Sequence, residues 1–387
     1  MSMLAIALVF ALTAQQWHQD LAFFARELPK RHLNAFHAVS REQFDAAVKE
    51  LDARIGTARD EEIAVGFMRL TALVGDGHTN VHVPPEWHRL GVQLQSFGGE
   101  WRVTGALPAT KALLGTKLTA IDGVPVADVV ARMERLASQD ELPPWQRVIV
   151  TGNMNTAEVL RGAGIDPTEI TVVADDGTTT TAAIPTITIA DQLKQEWIWP
   201  SAQVPLARRD LGSSFVIVNL PAQNAVYVNW RRYDHLAENA ENLWQLVDSI
   251  RAKRVIIDLR QNGGGDFKVG RRYMVSELAR RAGKVEGIVL IGARTFSAAM
   301  VNAIDFRKDA HALLVGNTIG EKPNSYSEND EMTLPNSKLV LSYSTRLYKF
   351  VPEDGPNVVE PDQRVEQTWA DTKAGRDAAL EWALAKK

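Results

Sequence analysis

Ser297 and Lys322 stand 25 residues apart, and each lies just beyond an apolar run of strand type. A serine hydroxyl becomes a nucleophile when a neighbouring base removes its proton, and a desolvated, neutral lysine can be that base. Ser297 sits in the phrase TFSAAM, between a strand pattern at 288–291 and a helix pattern reaching about Phe306. A serine in that place serves either as a helix N-cap or as a nucleophile, with the N–H of Ala298 as an oxyanion donor. Asn262-Gly263-Gly264-Gly265 follows a second apolar run, 255–259, and Arg260. Three glycines allow a plain tight turn or a backbone that aims N–H groups at developing negative charge. The phrase has neither the GxxxxGK[ST] nor the GxGxxG form, which argues against a nucleotide cradle. His78, in GDGHT, is the third chemical candidate, as a base or orienting group or as an ordinary hydrogen-bonded histidine. His78 and His82 would share a helix face as metal ligands, but the glycines before them and Pro84-Pro85 after them favour a strand. No HExxH form completes such a site, so no metal is expected.

These residues need elements to hold them. From Ser213 onward the pattern alternates between strands and helices. SSFVIVNL and AVYVNW are strand-like, and Leu243, Leu246, Val247 and Ile250 form a helical stripe. The continuous apolar run 255–259 suits a strand buried on both faces. A helix is expected at 269–282, a strand at 313–315, a hairpin over MTLPNSKLVLSYSTRLY, and a closing helix at 377–384. An α/β enzyme carries its chemistry at such strand ends.

Before Ser213 the chain has a different character. Residues 15–74 carry helical spacings, with Ser40 and Gln43 placed as a capping box and Phe44, Val48, Leu51 and Ile55 along one face. From His78 the pattern alternates as a strand does. Residues 90–133 show short alternating strands around Gly98-Gly99 and end in AIDGVPVADVV, a strand, tight turn and helix. This segment resembles the second half of a PDZ-like module, with Leu90-Gly91-Val92 as a candidate carboxylate loop. Residues 134–210 carry the weakest signals, a helix near 156–161 and two strands flanking Asp175-Asp176-Gly177.

Taken in order, DLRQNGGGD, TFSAA and GNTIGEKPN resemble the C-terminal processing (tail-specific) serine peptidases, in which serine and lysine form a dyad at this same spacing. The likeness is good from Ser213 to the end, and TLPNSKLVLSYST, VVEPDQRV and GRDAALEWAL add to it. It implies a ClpP/crotonase-like α/β core, with Ser297 as nucleophile and Gly264, Gly265 and Ala298 as oxyanion donors. Two features qualify the base. Glu321 stands before Lys322 where the family usually has glycine, and GDGHT is similar to the branch related to the tricorn protease core. In that branch a histidine is the base and a downstream acid supports it. His78 matches the histidine and Glu353 the acid, so the base is His78 or Lys322, with the resemblance and the ordinary histidine pKa favouring His78.

The expected organisation is therefore α/β: a signal peptide at 1–14, an N-terminal helical region at 15–84, a PDZ-like β-rich segment at 85–135, a connecting segment at 136–210 and the catalytic core at 211–387. The apolar run 3–12 has the length of a signal-peptide core and is too short to span a bilayer, which implies an exported, periplasmic or secreted chain. A net charge of −4 without a basic tract argues against nucleic acid, and the absence of cysteine removes disulfides and thiolate sites. The expected activity is hydrolysis of peptides or unfolded chains through an acyl-enzyme, without a cofactor. A ligand-binding protein on the same fold, like a retinoid-carrying extracellular relative, and crotonase-type acyl-CoA chemistry are the alternatives.

Overall fold

Caps and apolar spacing account for the first three helices of the computed structural model, which describes residues 12–386. The expected signal peptide thus lies almost wholly outside the described residues. Ala14–Arg31 starts at a Thr13/Gln16 capping box and buries Trp17, Leu21, Phe24 and Leu28 along one stripe. Arg41–Arg54 starts at the Ser40/Gln43 box and buries Phe44 and Leu51. Asp60–Val74 is almost entirely buried and stops at Gly75, whose φ of 107° is open to glycine alone. Among the described residues no helix is long and apolar enough to cross a membrane.

The C-terminal half is built on a six-stranded sheet ordered Phe215–Leu220, Ala225–Trp230, Arg254–Asp258, Glu286–Ile291, Leu313–Gly316 and Gln363–Arg364. The first pair is antiparallel and every later pair parallel. Its central strands are apolar on both faces because both are covered. Val226, Val228, Val255, Ile257, Val289 and Leu314 pack under helices Leu236–Ser249 and Ala298–Ala310. Tyr227, Ile256, Ile288, Leu290 and Val315 face the closing helix Ala378–Ala385. The helix expected at 269–282 is a composite: Phe267–Gly270, a π turn at Arg271–Val275, and Ser276–Ala279.

A second sheet joins Val92–Phe97, Glu100–Ala106, Lys117–Ile121, Glu169–Val173 and Thr179–Ala183 in that order. The boundary expected at residue 135 cuts through this unit, because its last two strands come from the segment read as a connection. Leu90-Gly91-Val92 is not an open carboxylate loop. The N–H of Leu90 donates to the Asn155 carbonyl and that of Gly91 to the Pro185 carbonyl, and a Cβ at Gly91 would stand 2.8 Å from that same oxygen.

The hairpin Asn324–Thr333 and Val340–Lys349 connects the halves. Asn80–Val81 adds to it as a third, antiparallel strand, with Asn80 opposite Ser342 and Val81 opposite Leu341. This pairing brings the GDGHT phrase onto the C-terminal half.

Candidate active site

Ser297 lies at the sharp turn into helix Ala298–Ala310, with φ 52° and ψ −124°. A serine held at positive φ without making a capping hydrogen bond is strained. The turn is over-determined by its neighbours. Buried Asn262 donates from Nδ2 to the Trp230 carbonyl, accepts the Gly264 N–H at Oδ1, and takes the Phe296 N–H on its own carbonyl. Gly264 lies so close that a Cβ there would be 2.7 Å from the Ser297 Cβ. Its φ of 109° excludes a side chain independently. The structure thus gives Gly264 a use in close packing, with its N–H spent on Asn262. Gly265 and Ala298 line the same cavity as Ser297.

That cavity, about 880 Å³, is bounded by the serine turn, the glycine loop, the GDGHT phrase and the hairpin. His78 lines it and is only 6% exposed. Asp76 sets its position: Oδ1 accepts the N–H groups of His78 and Thr79 and the Ser344 hydroxyl, while Oδ2 pairs with His32 Nε2 and the Thr79 hydroxyl. Ser342 Oγ donates to the His78 carbonyl at 2.7 Å. Burial opposes charge on Asp76, but hydrogen bonds from His32, Ser344 and Thr79 outweigh it and hold the carboxyl below its ordinary range. Burial pushes the His78 imidazole down to about 4 against the pull of Asp76, so the ring is neutral near pH 7. Its Nε2 is 3.2 Å from Ser327 Oγ and its Nδ1 3.6 Å from Glu321 Oε1. The ring stacks on Phe296, which in turn stacks on Trp145.

The two remaining expected residues lie elsewhere. Lys322 does not line the cavity; its Nζ donates to Asp140 Oδ1 at 2.7 Å. Glu353 is exposed, does not line the cavity and pairs with Lys349. The acid beside His78 is Glu321, whose Oε2 accepts the Ser297 N–H. Sequence reasoning noticed Glu321 only as a disturbance to Lys322. Alternation along an extended loop was the available signal, since neighbours there point to opposite sides. Burial and the nearby Glu141 and Asp76 charges raise the Glu321 carboxyl well above its ordinary value, against the Ser297 N–H. Glu141, missed altogether, accepts the N–H of Gly77 at 3.0 Å and that of Lys322 at 3.2 Å, clasping the two loops together. Burial lifts it to about 7 in spite of those two donors.

No family model and no curated protein sequence matches the chain. Solved structures do. Mature CPAF in complex with lactacystin superposes with a TM-score of 0.64 at 12% identity, covering 96% of this chain and 98% of that one. Mature CPAF alone gives 0.62 at 12% identity, with 96% of each chain covered. The fold is that of CPAF. The photosystem II D1 C-terminal processing protease superposes less well, with a TM-score of 0.44 at 13% identity over 94% of this chain and 98% of that one.

Proposed function

We propose that this chain is a serine peptidase acting on peptides or unfolded chains, with Ser297 as nucleophile and His78 as general base. The observation that carries the reading is the meeting, in one cavity, of a strained serine at a helix start and a buried, neutral histidine supplied from a distant part of the sequence. Attack by Ser297 Oγ on a substrate carbonyl passes the hydroxyl proton to His78 and leaves an oxyanion facing the N–H groups of Ala298 and Gly265. Collapse of that intermediate returns the proton from His78 to the leaving amine and leaves an acyl-serine, which water then hydrolyses by the same route in reverse. Glu321 Oε1 stands 3.6 Å from the otherwise unpartnered Nδ1, so a small closure gives the ring a hydrogen-bond partner, and ionisation of this raised carboxyl meets the charge that develops on the imidazole. Reaching the serine requires His78 to exchange its contact with Ser327 for one with Ser297, the kind of tightening that accompanies substrate binding. Lys322 serves as a structural residue in this reading, its charge matched by Asp140.

The six-stranded sheet with helices on both faces supports a ClpP/crotonase-like core, and the second sheet supports a PDZ-derived module whose pairing surface is its edges. An exported chain remains part of the proposal through the apolar run at 3–12. The test is labelling with a fluorophosphonate probe. The wild type should label, Ser297→Ala should not, and His78→Ala should slow labelling by about a hundredfold or more. Lys322→Ala should label at close to the wild-type rate. Equal labelling of wild type and Ser297→Ala would remove the proposal, and loss of labelling in Lys322→Ala alone would move the base back to lysine.

A further inference from the structure

Helix Pro143–Met154 presents Trp145, Ile149 and Asn153 to the active-site cavity, four residues apart along one face. Trp145 stacks on Phe296, the residue before the nucleophile, with ring centroids 3.9 Å apart. Asn153 lies eight residues further on, about 12 Å along the helix axis at the usual rise of ~1.5 Å per residue. It is only 5% exposed, yet its Nδ2 has no hydrogen-bond partner. The Trp145 Nε1 donor is likewise buried and unpaired. Buried polar groups are normally satisfied, and leaving one unpaired is costly, so a donor in this state at a cavity wall calls for a partner from outside the chain.

We infer that Asn153 is a specificity-determining residue that binds the main chain of an extended peptide substrate, roughly three to four residues from the scissile bond. The count takes Trp145, stacked on the residue before Ser297, as the end nearest the scissile bond and an extended chain lying along the helix, whose rise of ~3.3 Å per residue fits three to four residues into about 12 Å. The chemistry follows from the carboxamide, whose unpaired Nδ2 donor suits a main-chain carbonyl of the substrate. Ile149, which lies between the two donors on the helix, lines the cavity together with Met68 and Leu136 and offers apolar surface for the intervening substrate side chains. The enzyme would accordingly favour peptides long enough to reach Asn153 over short ones. The inference rests on the peptidase reading above.

The test takes a peptide cleaved by the full-length protein and replaces its amide bonds one at a time by esters, which removes a single N–H and weakens a single carbonyl acceptor. One substitution, three or four residues from the scissile bond, should lower wild-type kcat/KM about tenfold and have no effect on Asn153→Leu. That isosteric variant should fold at least as stably as the wild type, because it removes an unpaired polar group, and should keep full fluorophosphonate labelling. It should also lose the preference for longer peptides, chiefly through KM. An ester scan with no such position, or a position whose effect persists unchanged in Asn153→Leu, overturns the inference while labelling still supports the peptidase. A marked loss of stability in Asn153→Leu would assign Asn153 a structural role instead. Failure of the wild type to label would remove the peptidase reading itself, and this inference with it.

Discussion

At the scale of single residues, the site depends on a histidine kept neutral by burial. His78 lies beside Asp76 and Glu321, and burial prevails over the attraction of Asp76 to hold the ring at about 4. A base with that value is still in its working form at pH 5, where an ordinary histidine near 6.5 is mostly protonated. The acid limb of kcat/KM assigned to His78 should therefore lie well below pH 6, nearer 4 to 5. A pH–rate profile of the wild type and of Glu141→Gln measures it. A limb near 6.5 in both proteins would show that His78 titrates as an exposed histidine and that burial does not tune it.

Among elements, the decisive contact is the clasp between the GDGHT phrase and the loop carrying Glu321 and Lys322. Glu141 supplies it by accepting one N–H from each side. Its carboxyl is raised to about 7, so its stabilising effect is complete below the unfolded value near 4.5 and is lost as pH rises through 7. His78 works in the opposite sense. Its depressed value gives stability that is present above 6.5 and lost as pH falls through 4. Each effect is on the order of 3 kcal/mol, and Glu321, also raised, adds a second falling slope, so wild-type stability should decline from about pH 4.5 to 6.5. Glu141→Gln removes one of the falling slopes, and urea unfolding of that variant should show the decline over this interval flattened. Glu141→Leu leaves both N–H groups buried and unpaired, and should cost about 2–6 kcal/mol together with most of the activity.

For the whole molecule, His78 shares a cavity with Ser297 because the N-terminal helices grip the hairpin. Fully buried Asp20, on the first helix, accepts the N–H groups of Asn336 and Ser337 at the hairpin tip at 2.9 and 2.8 Å. The hairpin then holds Asn80–Val81, and with it His78. Asp20→Ala should lower unfolding stability by about 2–4 kcal/mol and reduce peptidase activity at temperatures where the wild type is unaffected. Activity and labelling unchanged at every temperature below unfolding would show that the hairpin keeps His78 in place without this anchor.

The core sheet, its helices and the serine turn were legible in the chain because they rest on local signals: buried apolar runs, helical stripes, caps and glycine phrases. Thr295 to Met300 announces a strand-to-helix turn by composition alone. Helix Pro143–Met154 escaped notice because its two leading prolines resemble a loop, although proline is favoured in the first turn of a helix. Sheet membership of Glu169–Val173 was equally hidden, since pairing across some fifty residues leaves no periodic trace. The chain by itself determined which residues are capable of acyl-transfer chemistry: Ser297, His78, Lys322 and the glycines between strands. Only the tertiary structure shows where each of them lies. Packing buried Glu321 against the Ser297 N–H and His78 in the same cavity, and turned Lys322 to Asp140, because the direction of neighbouring side chains in a loop depends on what each meets in the fold.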